Sequence, residues 1–166
     1  MAKTYYKNIK TVKKANWSRE NKGCLMPPAS TDAINGLFQA GSVVVPSINT
    51  QGTRTVGRFN ITVPSPFSAS QGSGDVYWAL VYVPQGTTAN SLFATTGTPD
   101  GSLYEPNQYV MASGITDGTA GPIRIRSSIM RKLHSGDFVS LVIGTVSAQS
   151  TTSQVRALVS YSVKYN

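Results

Sequence analysis

Seven basic side chains crowd the first 24 residues, where Glu20 is the single acidic side chain. The seven are Lys3, Lys7, Lys10, Lys13, Lys14, Arg19 and Lys22. Cationic side chains spaced along a segment neutralise phosphates without reading base sequence. This segment has a net charge of +6, whereas the remainder carries eight basic and six acidic residues, a net +2. A near-neutral body with a cationic tail predicts a nucleic-acid partner; a solubilising tail is the alternative.

Aromatic and basic residues outside that series extend the predicted nucleic-acid-binding set. Aromatic rings stack on unpaired bases of any identity, so rings among the lysines are candidates, with packing against a protein wall as the alternative. Two arginine pairs in the body are further candidates, with subunit ion pairing or simple solvation as the alternative. These residues are Tyr5, Tyr6 and Trp17 in the tail, and Arg54, Arg58, Arg124 and Arg126 in the body.

Residues suited to catalysis or metal binding are sparse. The only histidine, His134, lies in a basic turn, and the only cysteine, Cys24, is distant from it in sequence. These two residues form neither a zinc constellation nor a disulfide. Asp100, Glu105 and Asp117 offer hard oxygen ligands for calcium, but without a recognisable loop spacing. The sequence therefore predicts no enzyme, no metal site and no cofactor.

The composition indicates β-structure. The chain of 166 residues has 15 glycines, nine prolines and only 13% charged residues, and Glu20 and Glu105 are its only glutamates. Short strands joined by Gly, Pro, Ser and Thr turns have this composition. No apolar run approaches the roughly 18 residues of a membrane span, so we expect no membrane insertion.

Seven segments have the apolar runs or the alternation of strands. They are residues 36–46, 55–63, 76–83, 108–115, 123–130, 138–146 and 155–165. We predict two domains, a basic arm over residues 1–24 and an all-β shell over residues 25–166. The shell is predicted to be an eight-stranded, two-sheet jelly roll, with its eighth strand in residues 25–35 or 87–106. An immunoglobulin-type sandwich is the alternative.

Three segments carry distinctive motifs. Residues 77–86 read YWALVYVPQG, residues 102–110 read SLYEPNQYV, and residues 131–137 end in Ser-Gly-Asp. At this spacing the chain, over about residues 76–146, resembles coat proteins of small circular single-stranded DNA viruses that encode a replication initiator. The resemblance implies a single jelly roll and a T = 1 homo-oligomeric shell of about 60 subunits. It also implies packaged circular single-stranded DNA and a location in the virion.

The arm departs from the pattern of that group, because many of its members carry long, arginine-rich arms. The arm here is short and lysine-rich, as in coats of satellite RNA viruses, so a single-stranded RNA cargo is an alternative. The segment Lys10–Lys14 is a candidate for nuclear entry before assembly in the host nucleus, or for phosphate binding alone. A carbohydrate-binding β-sandwich is the rival from another class. The sequence identifies no host receptor.

Overall fold

The structure, a computed structural model, describes seven stretches of the chain, which are residues 16–26, 28–32, 37–64, 75–87, 109–117, 120–145 and 155–165. Several predicted residues lie outside them, namely Lys3, Tyr5, Tyr6, Lys7, Lys10, Lys13, Lys14, Asp100 and Glu105. Most of the connection at residues 87–106 also lies outside them. Within the described stretches, all of the regular secondary structure is β-strand.

Ten strands form two antiparallel sheets. Their bounds are β1 Ser18–Met26, β2 Pro28–Asp32, β3 Leu37–Val45, β4 Arg54–Val63, β5 Asp75–Val83, β6 Tyr109–Asp117, β7 Ile123–Ser127, β8 Arg131–Leu133, β9 Phe138–Thr145 and β10 Val155–Tyr165. The first sheet has the order β1-β10-β4-β7, with β8 also paired to β4. The second sheet has the order β2-β3-β9-β5-β6.

The strand pairing is that of a jelly roll. If the short strands β2 and β8 are set aside, eight strands remain. The first of these pairs with the last, β1 with β10, and the second pairs with the seventh, β3 with β9. The third pairs with the sixth, β4 with β7, and the fourth pairs with the fifth, β5 with β6. This nested pairing across two sheets confirms the predicted all-β jelly-roll sandwich over the immunoglobulin-type alternative.

The hydrophobic core lies between the two sheets and follows the predicted alternation. On β4, Phe59, Ile61 and Val63 are buried, whereas Asn60 between them is exposed. The predicted burial of β5 on both faces is also confirmed. Its residues Val76 and Leu80 belong to the central core. On the opposite face, Ala79, Val81 and Val83 form a second buried cluster with Phe138.

The start of the jelly roll differs from the prediction. Residues 18–24 belong to β1, which pairs with β10 along its whole length, so the predicted arm boundary at residue 24 lies inside a strand. β2 lies within residues 25–35, where an eighth strand was an option, but the strand that completes the eight is β1. An edge strand needs few apolar residues, which is why β1 looks like a polar tail.

Gly114 on β6 lies opposite Trp78 on β5 and has no room for a side chain. A Cβ at this position would lie 2.6 Å from Cζ2 and 2.8 Å from Cε2 of Trp78, whose ring packs against the core. We therefore expect Gly114→Ala to lower the free energy of unfolding by about 1–3 kcal/mol, measured by urea denaturation. Gly23→Ala is the matched control, because nothing lies within 4 Å of a Cβ there. Equal effects of the two substitutions would contradict the packing described.

Candidate nucleic-acid interface

The outer face of the first sheet is rich in basic side chains. Strand residues alternate between the two faces of a sheet, so side chains two apart lie on the same side. On the strands of this sheet, the apolar side chains of one side, such as Ile125, Ala157 and Val159, are buried in the core. The intervening side chains form a surface that we call the basic face, defined by Arg19, Arg58, Arg124, Arg126, Lys132, Arg156 and Lys164.

The described part of the basic face contains no acidic residue. Glu20 is the only carboxylate on the strands of this sheet, and it lies on the other side of β1, opposite the buried Tyr161. Asp75 and Asp117 lie opposite each other on the second sheet. Asp137 is buried in a turn. No carboxylate of the described stretches therefore balances the positive charge of the basic face, which favours an anionic partner.

Arg58 lies on the basic face at a bulge of β4. The register of β10 with β4 shifts by one residue between Ser160 and Ser162, which leaves one extra residue on β4. Arg58 lies at that point with a φ of 54°, in the left-handed region that residues other than glycine rarely occupy. A bulge of this kind turns a side chain toward a new direction and is frequent beside functional sites.

Trp17 and Arg58 meet at the edge of the basic face. The guanidinium carbon of Arg58 lies 5.6 Å from the centre of the Trp17 ring, which is the geometry of a cation–π contact. Trp17 immediately precedes β1 and is 38% exposed. Nearby, the Arg19 Nε donates a hydrogen bond of 2.7 Å to Ser160 Oγ. One aromatic ring and two guanidinium groups are thus held on the sheet surface.

A pocket of about 440 Å³ opens beside Arg58. Its lining residues are Arg58, Phe59, Asn60, Arg126, Ser127 and Ser128. The pocket lies where the neighbour of β4 changes from β7 to β8, and Asn60 is paired directly opposite Arg126 there. Its volume lies in the range of small-molecule sites in proteins.

Two predicted binding residues do not lie on the basic face. Arg54 is only 3% exposed and donates a hydrogen bond to the Pro46 carbonyl, so it does not form a surface pair with Arg58. Its charge is felt inside the sandwich, where burial raises the pKa of Tyr161, Glu20 adds to that rise and Arg54 opposes it. Lys22 donates to the Val43 carbonyl at 3.2 Å and links β1 to β3 of the other sheet.

The structure therefore brings together five of the predicted residues, namely Trp17, Arg19, Arg58, Arg124 and Arg126. It adds Lys132, Arg156 and Lys164, which were not among the predicted binding residues. A signal for two of them exists in the sequence. Arg156 and Lys164 alternate with the buried residues of β10, so their place on an outer face follows from the two-residue period.

Neither Cys24 nor His134 is part of this surface. Cys24 is buried in β1, with its thiol 3.9 Å from the Val43 carbonyl, and His134 is exposed after β8. Strands β10 and β4 separate β1 from β8, so the two residues are not brought together. Among the described residues no cluster of three or more potential metal ligands occurs. The same residues include no helix with the length and apolar character needed to cross a membrane.

Comparisons with known proteins add little to the strand topology. No protein-family profile matches the sequence, and no curated protein is similar enough to match. Among solved structures, the decameric BFDV capsid protein is similar at 9% identity and a TM-score of 0.37, over 92% of this chain and 100% of the other. The structure of infectious bursal disease virus, Gt strain, is similar at 11% identity and a TM-score of 0.16, over 87% of this chain and 40% of the other. These likenesses are weak, and the fold assignment depends on the nested strand pairing.

Proposed function

We propose that this chain is the coat protein of a small single-stranded DNA virus. In this proposal about 60 copies form a T = 1 icosahedral shell around circular DNA, after entry of the protein into the host nucleus. The mature location is the virion. The chain acts as a structural protein and does not need a cofactor or a catalytic residue for this role.

The observation that carries the proposal is that the chain enters β1 beside the basic face. β1 begins at Ser18, and Trp17 just before it contacts Arg58 on the basic face. The lysine-rich residues 1–15 therefore join the sheet at the edge of a surface that is itself basic. A basic sheet face, preceded in the chain by a lysine-rich segment, suits a subunit whose inner surface binds a polyanion.

The jelly-roll fold alone does not distinguish a coat protein from a carbohydrate-binding module, because both classes use it. A sugar site requires polar and aromatic groups in a shallow cleft, and it has no need for seven cationic side chains on one sheet. Charge on this scale instead matches the phosphate backbone of a nucleic acid. We therefore place the coat-protein function ahead of the carbohydrate-binding alternative.

The test of this function is assembly with cargo. The full-length chain would be expressed, treated with nuclease, and separated by size exclusion with absorbance at two wavelengths and electron microscopy of the peak. We expect uniform particles of the smallest icosahedral size that contain protected nucleic acid. A monomer without nucleic acid would overturn the proposal and favour the carbohydrate-binding module.

The same preparation identifies the cargo. Nucleic acid extracted from the particles would be digested separately with a deoxyribonuclease and a ribonuclease. Cargo that resists the ribonuclease but is removed by the deoxyribonuclease and by a single-strand-specific nuclease supports single-stranded DNA, whereas loss with ribonuclease alone would replace this part of the proposal with the RNA cargo of satellite-type coats.

A further inference from the structure

The pocket beside Arg58 has features beyond general positive charge. We propose that it is a nucleotide-binding site, in which Arg58 and Arg126 hold a phosphate and Trp17 stacks on the adjoining base. This inference rests on the proposed function and adds to it a defined contact point on the body, separate from the lysine-rich arm. The ligand is one nucleotide unit of a single-stranded nucleic acid.

Two arginines of the pocket lining could hold a phosphate group. Arg58 and Arg126 both line the pocket and are both exposed, so their guanidinium groups remain available to a ligand. A guanidinium presents its donors as a planar fork that matches two phosphate oxygens, which a lysine ammonium does not do. Asn60 and Ser128, also in the lining, add an amide and a hydroxyl for further hydrogen bonds.

The Trp17 ring offers a stacking surface for the base. Trp17 lies against Arg58, a lining residue of the pocket, with 5.6 Å between the guanidinium carbon and the ring centre. Unpaired bases stack on exposed aromatic rings whatever their identity, with guanidinium groups contributing to the same stacks. A nucleotide whose phosphate binds Arg58 would therefore place its base within reach of Trp17.

The backbone of Arg58 adopts a left-handed conformation. Its φ of 54° is the only positive φ of a non-glycine residue in the described stretches. A left-handed conformation at a residue with a Cβ costs free energy and persists where the surrounding structure enforces it, frequently at ligand sites. Here it coincides with the bulge of β4, at a residue whose side chain lines the pocket.

The test uses ultraviolet cross-linking of the packaged nucleic acid to the full-length protein inside intact particles. After nuclease and protease digestion, mass spectrometry would locate the cross-linked peptides. We expect the main adducts on Trp17 and on the peptide that contains Ser127 and Ser128. The mass of the remaining nucleotide distinguishes a deoxyribonucleotide from a ribonucleotide.

Charge-conserving variants separate a pocket from diffuse attraction. Arg58→Lys with Arg126→Lys is expected to reduce the adducts at these sites at least about fivefold, because the forked donors are lost while the charge remains. The matched control, Arg131→Lys, changes an arginine of β8 that lies outside both the basic face and the pocket lining. It should leave the adducts within about twofold of the unmodified protein. Arg126→Lys alone, at an exposed strand position, serves if the double variant does not assemble.

The possible results distinguish failure of the nucleotide site from failure of the packaging function. Particles that retain nucleic acid but show equal adduct yields in the pocket and control variants would overturn the nucleotide site and leave the coat function intact. Adducts spread evenly over the arm and the basic face would overturn it as well. Particles without any nucleic acid would overturn the proposed packaging function itself, and the nucleotide site with it.

Discussion

Removal of residues 1–15 is expected to lower the affinity of the protein for single-stranded nucleic acid by about 10³-fold at 0.15 M salt. The deletion removes Lys3, Lys7, Lys10, Lys13 and Lys14 but leaves β1 intact. Each lysine that neutralises a phosphate releases a counterion, which contributes about 0.7 to the log–log salt slope for a single strand. The slope should therefore fall by about 3.5, measured by titrating the assembled particles with salt and following cargo release.

The deletion ends at residue 15 and not at residue 24, so that β1 remains intact. A deletion of residues 1–24 would also remove most of β1, the strand that pairs with β10 at the edge of the first sheet. A failure to assemble would then report a damaged fold instead of a missing arm. Ending the deletion at residue 15 keeps Trp17, with its contact to Arg58, in the protein.

Two full-length controls separate charge from chain length. Replacing the five lysines of residues 1–15 by glutamine should reproduce most of the loss, whereas replacing them by arginine should retain or strengthen binding. Cargo retention that is unchanged in the glutamine variant would contradict an electrostatic role for the arm.

Asp137→Ala is expected to lower the free energy of unfolding by about 3–5 kcal/mol. The carboxylate of Asp137 is buried and accepts three hydrogen bonds. The donors are the Tyr82 hydroxyl at 2.8 Å, the His134 backbone N–H at 2.8 Å and the Gln85 backbone N–H at 3.1 Å. These bonds join the end of β5 to the turn between β8 and β9, and truncation leaves the donors without their acceptor.

Chemical denaturation of the full-length chain measures this effect. Asp137→Asn should cost less than the alanine variant, because an amide oxygen at the Oδ2 position still accepts the bonds from the Tyr82 hydroxyl and the His134 N–H. Asp75→Ala is the matched control. Asp75 is exposed at the start of β5 and lies opposite another carboxylate, Asp117. A loss no larger at Asp137 than at Asp75 would show that the network does not stabilise the fold.

Much of the fold follows from the sequence because most strands carry a strong two-residue period or a continuous apolar run. The seven predicted segments each correspond to a strand, β3 to β7, β9 and β10. β1 escapes prediction because Cys24 is its only buried side chain among those described, and β8 escapes because it has three residues. The choice of a jelly roll depends on pairing between distant strands, such as β1 with β10, which local patterns do not encode.

The candidate site is predictable where alternation is regular and not where it is interrupted. Arg124 and Arg126 alternate with buried isoleucines, so their outward direction follows from the sequence. Arg54 and Arg58 are four residues apart, which predicts one face, but the bulge shifts the alternation between them, so Arg54 is buried whereas Arg58 stays exposed beside the buried Phe59. A one-residue shift of register exchanges the faces of a strand, and no local feature of the sequence marks where it occurs.

The most direct test of the proposed function is the orientation of the subunit in an assembled particle. Electron cryomicroscopy of particles formed by the full-length chain would show which side of the first sheet lines the interior. We predict that the basic face points inward, with nucleic-acid density against Trp17 and Arg58. A closed shell in which the basic face points to the exterior would contradict the account.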